Sequence, residues 1–299
     1  MENTIRKMNV LRLFFSALLL IFLDVSCASV PIQKTALGIP YNAKFLEDIT
    51  AQWLDVSDGI QGVFIRIRRP HIEAWALRVD LSHPSIEIVM NAPSNSNGVV
   101  AGIKVSDFLR SYNCIAAVNA GPFSFSGPED KSRRPAGIFI SAGVEVSPPD
   151  SRYSALVFYR NGTGAVIEQK TITASNKAPL YWAAGGFSMI LDGGEIIVPP
   201  ERTARHPRSA AGVSKDGQIL YLLVIDGRRP GSAGATEMET AFILRVLGAA
   251  QAVNMDGGGS TSMALLKDNG VILVNRPAHS ILGTAERNVG VCIGVRRRR

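Results

Sequence analysis

Beyond residue 60 the apolar residues come mostly in short runs, broken every few positions by Gly, Pro, Asn, Asp or Ser. Such runs are the mark of strands between tight turns. Only two of these later stretches hold a helical period. Val105–Tyr112 fits a short helix. Thr236–Leu247 places Met238, Ala241, Phe242, Leu244, Val246 and Leu247 at helical spacing, opens with Thr236 and Glu239 as a capping box, and stops at Gly248. There is no internal repeat and no regular strand–helix alternation. Many strands and few helices predict an α+β fold of mixed or antiparallel β-sheets in a single domain.

The strand reading makes specific claims. Ala74–Leu81 and Ser85–Met90 flank Ser82-His83-Pro84 and read as a hairpin. Ser209–Val213 and Ile219–Ile225 flank a turn at Lys215-Asp216-Gly217. Ala250–Met255 is a buried strand, followed by strands at Ser262–Leu266, Val271–Val274 and Val289–Val295. Ser124–Arg134 and Val198–Pro207 read as polar loops.

The N-terminus reads differently. Arg6, Lys7 and Arg12 precede the apolar run Leu13–Leu23, and Ser26-Cys27-Ala28 follows. A basic start, a short apolar stretch and small residues make an export signal, residues 1–28, with the protein placed in the periplasm or outside the cell. The run is too short for a transmembrane helix. Cleavage after Ala28 puts Ser26 and Ala28 at the small-residue positions. The rival reading makes Cys27 the lipidated first residue of a lipoprotein, although Asp24 fits such a signal poorly. Residues 29–60 form an extension of weak pattern, with a short helix at Phe45–Trp53, ahead of the main domain at 61–299.

The net charge of +7 is concentrated at the two ends, in Arg6, Lys7, Arg12 and Arg296–Arg299. With the ends set aside it falls to about +2, and no basic run with interleaved aromatics remains. That excludes a nucleic-acid binder. The three cysteines include no CxxC pair, which excludes a zinc–thiolate site. Cys114 and Cys292 both lie in apolar runs, where a thiol acts as a small hydrophobe.

Chemistry concentrates in Asn254-Met255-Asp256-Gly257-Gly258-Gly259-Ser260-Thr261-Ser262. An apolar strand delivers a carboxylate into three glycines and three hydroxyls. Glycines let successive backbone amides converge, and such a concavity binds anions. A simple tight turn needs only one or two glycines. Ser260 as a hydrolase nucleophile is a rival, but the elbow pattern needs glycine at 262, which is serine. His71, His83, His206 and His279 are the available bases, and spacing places none of them. Asp226, Arg208 and the Glu286-Arg287 pair share a place at strand ends, as does Arg228. Arginine forks match phosphate oxygens. Nothing in the spacing demands a cofactor, and a structural Ca2+ on Asp or Asn oxygens is the one cation left open.

These elements, in this order, resemble the phosphodiester glycosidase family related to N-acetylglucosamine-1-phosphodiester alpha-N-acetylglucosaminidase, the lysosomal uncovering enzyme. The resemblance runs from about Ala74 to Val295 and includes Asn119-Ala120-Gly121-Pro122-Phe123, Ala184-Gly185-Gly186, Arg208–Gly212, Asp226-Gly227-Arg228, Asn254–Thr261 and Glu286-Arg287. Ala120 and Pro122 depart from the family's Asn-Gly-Gly-Phe-Phe pattern, which leaves the substrate open. The resemblance implies an exported hydrolase that cleaves a sugar C1–O–phosphate bond in a phosphorylated carbohydrate or envelope glycopolymer. It implies Asp256, Glu286 and Asp226 as the carboxylates of the centre. Arg208, Arg228, Arg287 and the Gly257, Gly258, Gly259, Ser260 and Thr261 loop would bind phosphate, with Asn119 positioning the sugar. The competing class is a non-catalytic glycan- or teichoic-acid-binding module that uses the same loop without turnover.

Overall fold

The computed structural model describes residues 32–34, 40–42, 52–92, 98–125, 131–268, 270–279 and 285–298. The export signal, Cys27 and most of the helix expected at Phe45–Trp53 lie outside them. The architecture below belongs to the compact unit Gln33–Arg299.

Eight antiparallel strands form the largest sheet, in the order Glu195–Ile196, Met189–Asp192, Gln251–Asn254, Arg208–Val213, Ile219–Ile225, His71–Asp80, Ile60–Arg68 and Leu54–Ser57. The sheet therefore takes in residues ahead of 61. Successive side chains alternate between its faces. Ala210, Ala252, Leu223 and Ile225 meet the helix Glu237–Leu247 through Ala241, Phe242 and Leu244. Ala211, Val253, Leu222 and Val224 meet a second sheet. Both faces are covered, which is why Leu220–Ile225 is apolar at every position.

The second sheet has the order Gly270–Leu273, Met263–Lys267, Ala116–Asn119, Cys292–Arg297 and Ile86–Met90. The helix Val105–Ser111 packs on it through Val105, Phe108 and Leu109. A third, five-stranded sheet spans Phe139–Glu168 and Leu180–Gly185. The capping box at Thr236 and Glu239 is formed, and Gly248 ends its helix in the left-handed conformation. Cys114 and Cys292 are buried free thiols, and burial pushes Cys114 up to about 12, so both are unreactive packing groups.

The α+β class with antiparallel sheets is the observed one. The hairpin expected around Ser82-His83-Pro84 is not formed. His71–Asp80 lies in the first sheet and Ile86–Met90 in the second, so the turn carries the chain from one to the other. The reason is edge occupancy: Ile60–Arg68 and Ile219–Ile225 take both edges of His71–Asp80 along nearly its whole length. The stretch Ser124–Arg134, expected as a loop, has strands at its ends: Phe123–Phe125 pairs with Ser132–Pro135.

Candidate active site

The Arg208 strand lies between Ile219–Ile225 and Gln251–Asn254 and runs antiparallel to both, so its start meets both their ends. Each neighbour runs out into Asp-Gly: Asp226-Gly227 on one side and Asp256-Gly257 on the other. Pro207 fills the space between them. A Cβ on Gly227 would come within 2.8 Å of the Pro207 nitrogen, and one on Gly257 within 2.6 Å of the Pro207 carbonyl oxygen. Neither position admits a side chain. The next residue in each turn is left-handed, Arg228 at φ +60° and Gly258 at φ +62°. Glycine takes that conformation freely, whereas for arginine it costs about 1 kcal/mol.

From Asp256 the chain crosses from the first sheet to the second. The Asp256 amide donates to the Ala120 carbonyl at 2.8 Å. Asn119, 1% exposed, ties the crossing down: its Nδ2 donates to the Asp256 carbonyl at 2.5 Å, and its Oδ1 accepts from Ser209 Oγ at 2.7 Å and the Ser262 amide at 3.0 Å. Its side chain is thus spent beneath the loop. Gly258–Ser260 forms one 3-10 turn. The Gly258 amide donates to Pro207 at 2.8 Å and the Ser260 amide to Gly257 at 3.2 Å. The Thr261 amide donates to Gly258 at 3.3 Å, so three of the loop amides expected to cradle an anion are already used. Those of Gly257 and Gly259 meet no acceptor among the described residues. Thr261, also buried, leaves its Oγ1 without a partner.

The Asp256 side chain is half-buried. Burial lifts its carboxyl to about 6, while the Ser260 hydroxyl and the Arg287 charge pull the other way. A carboxyl that titrates near neutrality is poised for proton transfer or for work as a ready carboxylate.

Two arginine–histidine couples stand over the glycines. Arg228 Nη2 donates to His206 Nδ1 at 3.3 Å, and a Cβ on Gly258 would lie 3.5 Å from the same Nη2. Arg287 Nε donates to His279 Nδ1 at 3.2 Å and its Nη1 to Ser260 Oγ at 3.3 Å, and a Cβ on Gly259 would lie 2.8 Å from Nη2. Neither arginine forms an ion pair with a carboxylate among the described residues. Both imidazoles are held below their ordinary range. His206 is lowered by burial, then by Arg208 and Arg228, with Glu237 opposing; His279 is lowered by burial, then by Arg287. Spacing alone placed neither histidine. The one clue was that His206 stands two residues before Arg208.

The remaining expected residues are held by protein partners. Asp226, 1% exposed, accepts from Asn275 Nδ2 at 3.2 Å and the Arg276 amide at 3.0 Å, and pairs with Arg229. Burial raises its carboxyl, ahead of these donors, which lower it. Arg208, 8% exposed, donates from Nε to the Ala235 carbonyl and from Nη2 to that of Ala204, both at 2.9 Å. Glu286 accepts from the Ser106 amide at 3.1 Å, from Ser106 Oγ, and from Ser262 Oγ at 2.9 Å. It thus caps a helix whose own N-cap, Lys104, makes no side-chain bond. Glu286 and its neighbour Arg287 do not pair with each other, because Arg287 turns to His279 and Ser260.

Residues 112–296 match a protein family described as phosphodiester glycosidase. The SPbeta prophage-derived uncharacterized protein YomE of Bacillus subtilis strain 168 is 26% identical over 162 residues, covering 50% of this chain and 24% of that protein. The chain therefore spans about a quarter of this curated relative's length. Among solved structures, the catalytic domain of zebrafish N-acetylglucosamine-1-phosphodiester alpha-N-acetylglucosaminidase, described as auto-inhibited by its pro-peptide, aligns with a TM-score of 0.62 at 18% identity, covering 83% of this chain and 87% of that one. A hypothetical protein from Synechocystis aligns with a TM-score of 0.60 at 18% identity, covering 83% and 64%. These two structures share the fold.

Proposed function

The chain belongs to the phosphodiester glycosidase family, and we propose that it hydrolyses the C1–O bond of a sugar-1-phosphodiester, releasing free sugar and a phosphomonoester. The leader read in the sequence supports an exported enzyme that acts on a phosphorylated envelope carbohydrate.

The observation that carries this reading is Asp256: a half-buried carboxyl at about 6, on a loop with two unused amides and two arginines that keep their charge. The leaving phosphomonoester is weakly basic, so the reaction needs little help from a general acid. It needs a carboxylate beside C1 as positive charge develops there. Asp256, ionised above pH 6, takes that role. The substrate phosphodiester carries one negative charge, and the departing monoester gains a second. Arg228, Arg287 and the Gly257 and Gly259 amides therefore stabilise the transition state more than the substrate, which is the condition for faster turnover. Asn119, Asp226, Arg208 and Glu286 are positioning residues in this scheme.

Purified protein incubated with a panel of sugar-1-phosphodiesters should release free sugar, with an acid limb in kcat/KM near pH 6. Asp256→Asn should lower kcat about a thousandfold. Undiminished turnover by that variant would remove Asp256 from the mechanism.

A further inference from the structure

We propose that His206 and His279 are substrate-binding arms, each holding its arginine over the glycine loop through Nδ1 and donating its Nε2–H to a phosphate oxygen. The inference rests on reading the loop as a phosphodiester glycosidase centre, and it assigns two residues that this reading does not require.

Arginine can only donate, so a bond from its guanidinium to Nδ1 makes that nitrogen the acceptor. In a neutral ring the proton then sits on Nε2, and each imidazole has one tautomer. The two guanidinium groups are seated on consecutive residues, Gly258 and Gly259, whose Cα atoms are about 3.8 Å apart. Both couples thus border the same glycine loop at adjacent residues. His279 is exposed and His206 half-buried, so ligand can reach both.

The choice of partner is what distinguishes these arginines. Nearby, Arg202 pairs with Glu237 at 2.9 Å and Arg205 with Glu239 at 2.5 Å. A carboxylate over the loop would cancel the guanidinium charge and repel phosphate. A neutral imidazole holds the guanidinium in place, leaves its charge intact and adds a donor of its own. Protonating the ring would turn Nδ1 into a donor facing a donor. The surrounding arginines, Arg208 and Arg228 at His206 and Arg287 at His279, oppose that, with only Glu237 acting the other way at His206.

Long-range 1H–15N spectra of the full-length protein near neutral pH test the tautomers, with inorganic phosphate as the probe. Both rings should be Nε2–H, and both Nε2 resonances should shift as phosphate is added. Asparagine can supply an acceptor in place of Nδ1 but has nothing in place of Nε2–H. His206→Asn and His279→Asn should therefore weaken phosphate inhibition about fivefold, raise KM and lower kcat, with Tm nearly unchanged. Glutamine, whose amide nitrogen lies near the Nε2 position, should recover part of the loss. An Nδ1–H tautomer in either ring, or Asn variants with wild-type KM and phosphate inhibition, would overturn the proposal. If a variant does not fold, the wild-type tautomers and phosphate shifts decide alone. The two levels separate cleanly. Phosphate shifts without sugar release from any phosphodiester would sink the glycosidase reading and keep the arms. Sugar release with Asn variants identical to wild type would keep the glycosidase and sink the arms.

Discussion

Asp226 and Asp256 follow two strands of one sheet and share a backbone plan: a glycine pressed on Pro207, then a left-handed residue. Their surroundings differ. Asp226 is fully enclosed by Arg229, Asn275 and the Arg276 amide. Asp256 has the Ser260 hydroxyl and the more distant Arg287 charge. The same turn thus makes a structural pin where donors are plentiful and a titratable group where they are few. The supply of donors, rather than burial alone, decides which carboxylate is available for chemistry.

The sharpest way to break this contrast is Asp226→Ala. It leaves the half-buried Arg229 with Glu73 in place of its nearest partner and removes the acceptor for Asn275 and the Arg276 amide. Losing one member of a buried pair costs about 3–5 kcal/mol, which lowers Tm by roughly 10 °C. A thermal melt within about 2 °C of wild type would show that Asp226 is no pin.

Asp256→Asn should move stability the other way. The folded carboxyl, at about 6, lies above its ordinary 3.8, so the folded chain binds more protons than the unfolded one between those values. Its contribution to stability therefore falls as pH rises from about 4 to 6, and the deficit is complete above that. Asparagine carries no such deficit, so the variant should gain on the order of 2 kcal/mol over wild type at pH 8 and much less at pH 4. Urea denaturation at both pH values checks this; an equal difference at the two would contradict it.

Gly258→Ala should cost about 1 kcal/mol, because a Cβ there meets only Arg228 at ordinary contact distance and the strain lies in φ alone. A far larger loss in urea denaturation would mean that the loop has no room to spare. The smallest effect belongs to Ser260→Ala. Its hydroxyl holds Asp256 down, so removing it should move the acid limb of kcat/KM up by about half a pH unit. A shift downward would refute that.

What could be read in the sequence was local. The Thr236 cap, the turn between the Arg208 and Ile219 strands and the glycine loop each depend on residues a few positions apart, and all three are present. Partners supplied from far along the chain were not legible. Periodicity tells which faces a strand shows but not which sheet it joins, so the Ser82–Pro84 turn looked like a hairpin. Arginines look alike in a sequence, yet Arg208 is committed to backbone carbonyls 4 and 27 residues away, while Arg228 and Arg287 retain their charge beside histidines 22 and 8 residues away. Glu286 gave no sign that it would cap a helix 180 residues earlier in the chain.

Asn119 reaches its three partners across 137, 90 and 143 residues of chain. Contacts of that span close late in folding, because their loop entropy must be met before they return anything. The sheets can therefore gather much of their structure while the loop above Asn119 is still unmade. On the ribosome the delay is stricter, since Ser262, His279 and Arg287 are synthesised more than a hundred residues after Asn119. A nascent chain that has not yet reached Ser209 holds Asn119 and none of the groups it organises, so the loop can be tied down in full only once Ser262 has been made.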